Sequence, residues 1–143
     1  MSYQINEGSL TLPAGFQDRT INVFVPGDTA PFPFSLTVSR DTKPADEALS
    51  EYVERQVELI AAKLAKYKRL NSKSAMLSAS APLQGLQIDA QYKANGKDVY
   101  QRQAAFLIAP ERVLVFTASG QTPFTTEQDA LWNDFLSSFS PSR

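Results

Sequence analysis

The side chains able to do chemistry in this sequence are amides and carboxylates, because it contains no histidine and no cysteine. The commonest general base, the commonest metal ligand, thiolate nucleophiles and disulfides are absent with them. Carboxylate-only chemistry, with or without magnesium, stays open. Glu47, Glu51, Glu54 and Glu58 follow one another at helical spacing. They share the polar side of that helix with Arg55, so the pattern favours a solvated face over a metal or acid–base site. Arg40-Asp41 reads as a turn-stabilising pair at the end of a strand. There is no GxGxxG, Walker A, GxSxG or EF-hand spacing. Gln56 stands out instead, because it falls inside the apolar arc of the helix, between Tyr52 and Ile60. A buried amide without a partner costs about 1–3 kcal/mol. Gln56 therefore needs either a backbone partner at the core margin or an open groove.

The elements that position these residues follow from apolar periodicity. "YQINEGSLTLP" alternates as a short hairpin or two edge strands around Glu7-Gly8, and "DRTINVFVPG" reads as a strand running into a turn. "PGDTAPFP" reads as a loop, and "FSLTVSRD" alternates with Phe34, Leu36 and Val38 on one face. A long helix is expected from Thr42 to Leu70, with Pro44 in its first turn and Lys66, Lys68 and Arg69 at its far end. A weaker strand follows from Ser72 to Ser80. Leu83 to Gly120 reads as three antiparallel strands, with hairpin turns at Asn95-Gly96 and at Ala109 to Arg112. The closing helix starts from Thr125, whose spacing to Gln128 fits a capping box. Leu131, Trp132, Phe135, Leu136 and Phe139 form its core-facing stripe. The expectation is a single α+β domain over residues 1–143: an antiparallel sheet with one long helix and a C-terminal helix packed against it.

Composition narrows the function classes. The chain has 143 residues, 43% of them hydrophobic, enough for one real core. With 14 basic and 15 acidic side chains the formal charge is −1, and no basic run is present. Neither nucleic acid nor an anionic membrane is drawn to such a surface. The first residues show no basic-then-apolar leader pattern, so a cytoplasmic location is expected. No cofactor is expected.

Some elements carry more apolar surface than one contact needs. The arc from Leu49 to Tyr67 spans roughly 200° at about 100° per residue. A sheet contact uses little more than half of that. On "DRTINVFVPG", Ile21, Val23 and Val25 share one face, yet Phe24 stands on the other. "RVLVFTAS" is apolar on both faces, while Val99, Gln101, Gln103, Ala105 and Leu107 mix apolar residues with amides. Two helices do not readily cover both faces of such a sheet. A second copy of the chain or a bound ligand is expected over the remainder.

"EGSLTLPAGFQDRTINVF", "SLTVSRD", "YVERQ", "VYQRQAAF" and "RVLVFTAS", in this order, resemble the DcrB-like family, and within it the Eag effector-associated chaperones of bacterial type VI secretion. The resemblance runs nearly end to end. Some members of the wider family are exported lipoproteins; the missing lipoprotein signal favours the cytoplasmic Eag branch. The segment "LAKYKRL" departs from the Pro/Gly-containing helix end of the family. The resemblance implies a cup-shaped homodimer that is not an enzyme. Its concave surface would hold N-terminal transmembrane helices of a type VI secretion effector and aid loading onto the VgrG spike. By motif, that surface would use Ile21, Val23, Ser35, Thr37, Ile60, Leu64 and Val99, with hydrogen bonds from Gln56 and Gln103. Ser35, Thr37 and Ala105 are small enough to let a helix approach the sheet. Two other classes stay open: an interaction module for a soluble partner, and an enzyme or small-molecule binder. The lack of histidine and cysteine argues against the latter.

Overall fold

The computed structural model of the chain describes residues 2–27 and 33–141, so the centre of the loop expected at "PGDTAPFP", Asp28 to Phe32, lies outside the described residues. Strands β1 (Ser2–Ile5) and β2 (Gly8–Thr11) pair as the expected hairpin and form a small sheet of their own. The Tyr3 hydroxyl lies 2.6 Å from Thr20 Oγ1, which ties this hairpin to the segment leading into the main sheet.

The main sheet has six antiparallel strands in the order β3 (Asn22–Phe24), β4 (Phe34–Thr42), β8 (Arg112–Gly120), β7 (Lys97–Ala109), β6 (Leu83–Ala94) and β5 (Ala65–Leu77). Asn95 and Gly96 both adopt positive φ, at 53° and 76°. That is the primed turn whose twist matches the β6–β7 hairpin. Helices α1 (Leu49–Lys63) and α2 (Thr126–Ser137) lie on opposite faces of the sheet. Successive strand residues alternate between the faces, and cross-strand partners share one. Ala104 and Phe106 accordingly pack under α2 with Phe116, Trp132 and Leu136. Ala105 packs under α1 with Tyr52, Val53, Val57, Ile88 and Val113.

The expected capping box of α2 is present: Gln128 N–H donates to Thr125 Oγ1 at 3.1 Å, and Thr125 N–H donates to Gln128 Oε1 at 3.0 Å. Its last carbonyls are held from the loop after β5, where the N–H groups of Ser78 and Ala79 donate to Leu136 and Ser137 at 2.9 Å. Leu131 departs from the expected stripe and is exposed.

The long helix is shorter than expected at both ends. Pro44 is not in its first turn, because Lys43 gathers the preceding residues into a separate turn. The buried Lys43 ammonium donates to the carbonyls of Pro44, Glu47 and Pro110. Helix α1 then starts after Ala48, whose N–H donates to Glu51 Oε1 at 2.9 Å. At the other end Lys66, Lys68 and Arg69 belong to β5, not to the helix. Good helix formers in "LAKYKRL" lose to strand pairing with β6, an override of weak local propensity by tertiary contacts. The change is abrupt: Leu64 caps α1, and Lys66 takes φ 53° beside a register shift. Arg69 reaches back to Glu54 on α1, with two bonds of 2.8 and 2.7 Å.

Among the described residues no helix is long and apolar enough to cross a membrane.

Candidate functional site

Helix α1 packs against β5, β6 and β7 and leaves the β3–β4 side of its face open. Between the helix and the sheet runs a groove of about 290 Å³. Tyr52, Gln56 and Ile60 line it from the helix, at i, i+4 and i+8. Leu86, Ile88, Gln103, Ala105 and Val115 form its floor, and Ser39 and Asp41 close it along β4.

Three of the expected site residues, Gln56, Ile60 and Gln103, meet in this groove. The sheet register connects others to it. Val23 pairs with Thr37, Thr37 with Thr117, Thr117 with Gln103, and Gln103 with Ile88. These residues form one row across the α1 face, running from the open edge to the groove. Val23 is 61% exposed at the open end of the row. Ile21 precedes β3 and is 59% exposed. Ser35 is half-buried in a parallel row with Ser119, Gln101 and Ala90. Val99, opposite Tyr92, lies farther along the same face of β7. Leu64 caps α1 and does not line the groove. Ala105 is buried beneath α1, so the helix it admits is the chain's own. Phe24 points away from this face, toward α2, with its ring edge-on to Phe135 at 6.1 Å.

Gln56 and Gln103 are half-buried, and among the described residues neither side chain makes a hydrogen bond within the chain. Of the two alternatives for Gln56, the open groove is therefore the one found. The groove also holds a hydrogen bond that pattern reading missed: Tyr52 donates its hydroxyl to Asp41 Oδ2 at 2.7 Å. Burial pushes the Tyr52 phenol far above its ordinary range, and the hydrogen bond to Asp41 adds to this. It stays a proton donor at all ordinary pH. The available signal was that a tyrosine inside an apolar arc needs a partner for its hydroxyl.

Arg40 and Asp41 do not pair with each other. Arg40 donates to Asn22 Oδ1 at 2.5 Å, while Asp41 holds Tyr52 and the Thr42 N–H. Consecutive strand residues point to opposite faces, which separates them. The glutamates expected on one helix face are also dispersed, and Glu47 lies in the turn before α1. Glu47 pairs with Arg55 at 2.8 Å, Glu54 with Arg69 at 2.7 Å, and Glu51 caps the helix. The bound guanidinium holds the Glu47 and Glu54 carboxyls below their usual range. The arrangement is a mixed trough: Val53, Val57, Ile60, Leu86, Ile88, Ala105 and Val115 supply apolar surface, and Arg19, Ser39, Arg40 and Asp41 stand beside the two amides. Such a lining suits a chain that brings both apolar surface and polar groups to satisfy.

Residues 7–138 match the DcrB family. The chain is 25% identical over 140 residues to a Pseudomonas aeruginosa protein named Effector EagT6, covering 97% of this chain and 94% of that one. A crystal structure of PA94, a Pseudomonas aeruginosa protein of unknown function, superposes with a TM-score of 0.76 at 24% identity, covering 100% of this chain and 97% of that one. The α+β architecture, with antiparallel sheets, one long helix and a C-terminal helix, is thus shared with a solved fold. The chain belongs to the DcrB family, and the Eag-type proteins are the members it resembles.

Proposed function

We propose that this chain is a chaperone-adaptor of type VI secretion, which shields N-terminal transmembrane helices of an effector on its α1 face and aids loading onto the VgrG spike. The end-to-end likeness to Effector EagT6 supports a chaperone-like role in that system. The observation that carries the reading is the row from Val23 through Thr37, Thr117 and Gln103 into the groove. It is apolar at its exposed end and passes small hydroxyl residues to Gln103, which faces Gln56 across the groove; among the described residues neither amide is bonded. An apolar helix gains by leaving water against Ile21, Val23 and Ile60. Gly, Ser or Thr on that helix offers groups for Gln56 and Gln103 to bond. Uncharged amides avoid the cost of placing an ion beside lipid-facing side chains. A second copy of the chain closes the cup in this reading, and the complex forms in the cytoplasm before secretion.

The test is co-expression with the N-terminal fragment of a large protein, encoded beside this chain, that carries paired apolar segments. The fragment is expected to stay soluble and to co-purify with a dimer. Ile21→Asp is expected to abolish capture and Gln56→Ala to weaken it. Capture that survives Ile21→Asp overturns the groove assignment. A partner without apolar segments of membrane-spanning length, indifferent to Gln56→Ala, establishes a soluble-partner module instead.

A further inference from the structure

The two free edges of the main sheet are unlike. The β3 edge is three residues long, whereas β5, bonded only to β6, runs for 13. An edge of that length presents a long row of N–H and C=O groups to any strand that meets it. Two irregularities, between Ala65 and Lys68 and between Arg69 and Asn71, disturb its first half. From Asn71 to Leu77 it pairs with β6 residue for residue, so the outer edge is regular there. Among the described residues no backbone group from Lys66 to Met76 bonds outside the β5–β6 ladder.

The two sides of this edge differ in chemistry. Lys73 pairs with Gln87, which lies on the α2 face with its amide bonded to Trp132. Lys68 pairs with Gln91, four residues farther along β6 and so on the same side. The bulge between Arg69 and Asn71 puts the two lysines on one side in spite of their odd spacing. On the α1 side, Ser72 and Ser74 pair with Ile88 and Leu86. A depression of about 300 Å³ opens there between β5 and α1. Val53, Leu86 and Ile88 give it apolar walls, the two serines border it, and its one acid, Glu54, is already held by Arg69.

Charge is uneven as well. Lys63, Lys66, Lys68, Arg69 and Lys73 fall in a stretch from Leu59 to Ile88 that contains no acid, although the whole chain is net acidic. Among the described residues only Arg69 of these five holds a carboxylate.

We propose that the β5 edge receives an extended acidic segment of a partner polypeptide as a further strand. Its acids lie on the α2 side against Lys68 and Lys73, and its alternate, apolar side chains lie on the α1 side over the depression beside Ser72 and Ser74. Main-chain bonds to the open edge supply affinity, and the two sides read alternate side chains. A second copy of β5 fits worse, because it brings the same cations and no acid to the edge. A lipid surface or a nucleic acid uses the charge but not the open backbone row. The site is separate from the α1-face groove, which β5 does not line.

The probe is an end-blocked, fluorescently labelled peptide of nine residues alternating Val and Glu. Gln or Lys replaces Glu in two further versions, and a fourth carries Pro at its centre. At low salt the Glu peptide is expected to bind about tenfold tighter than the Gln peptide, with the margin shrinking as salt is added. The Lys and Pro peptides are expected to be the weakest. Hydrogen exchange is expected to slow between Asn71 and Met76 when the Glu peptide binds. Lys68 and Lys73 are exposed, so Lys68→Glu with Lys73→Glu keeps the fold, and this double variant is expected to prefer the Lys peptide. Equal binding of the Glu and Gln peptides, or a preference that the double variant leaves unchanged, overturns the proposal. So does protection outside β5. Protection of β5 that grows with protein concentration in the absence of peptide gives the edge to a second copy and overturns it. Binding to phosphatidylglycerol vesicles with no peptide bound gives it to a lipid surface and overturns it too.

Discussion

The two faces of the six-stranded sheet are built from alternating residues of the same strands, yet one is closed and the other is half open. Under α2 the strands supply Phe34, Phe106 and Phe116, and the rings of Phe124, Phe135 and Phe139 pack edge-on against them at 5.8 to 6.2 Å. Trp132 is 1% exposed, and its Nε1–H donates to the buried Gln87 at 3.1 Å. Under α1 the same strands supply Ala105, Val113, Val115, Thr117 and Gln103. Small and amide side chains cannot bridge the distance to the helix along its whole length, and a groove remains. Side-chain volume decides which face is the chain's own core and which stays available.

Trp132→Ala attacks the closed face at its centre and has the largest expected effect. It leaves a cavity and strands the Gln87 amide, a loss of about 3–5 kcal/mol measured by urea denaturation. A loss below about 1 kcal/mol would mean that the α2 face is not the principal core. Gly85→Ala sharpens the same point. A methyl group there would meet the Ala105 carbonyl at 2.2 Å and the Phe106 ring at 2.5 Å. The backbone cannot yield as a flexible side chain would, so overpacking is expected to cost about 1–3 kcal/mol.

Val23→Asp reverses the pattern on the open face. Val23 is 61% exposed in a three-residue edge strand. Its replacement is expected to change stability by no more than about 0.5 kcal/mol. Co-purification of an apolar client fragment is expected to be lost in the same variant. Unfolding by this substitution would make the α1 face a core like the other; unchanged stability with unchanged capture would make it an idle surface.

The closed face was the more legible in the sequence. Phe34, Leu36 and Val38 at period two, the Thr125 cap and the Trp132–Leu136 stripe are local signals, and each survives in the fold. The Asn95-Gly96 turn is local as well. The open face was legible only as a surplus: an arc too wide, an amide inside it, a strand apolar on both sides. Its groove depends on which strands become neighbours, and that is set by long-range register. The Tyr52–Asp41 bond is of this kind. The end of α1 failed for the opposite reason: "LAKYKRL" has strong helix formers, and only its pairing with β6 shows that it is a strand.

Glu54 and Arg69 give the smallest effect and the one most specific to the α1 side, since their ion pair ties the helix to the edge strand. The guanidinium lowers the Glu54 carboxyl below its ordinary 4.5. A group depressed in the folded state adds stability above its unfolded value and loses it as pH falls through the folded one. Glu54→Gln is therefore expected to lower the Tm slightly at pH 7, with the gap to the wild type closing as the pH is taken below 4.5. Because the pair is exposed to solvent, added salt narrows the gap at neutral pH too. A gap that persists unchanged at pH 3 would assign the effect to lost packing of the Arg69 stem, and would make the α1 hinge to β5 apolar rather than electrostatic.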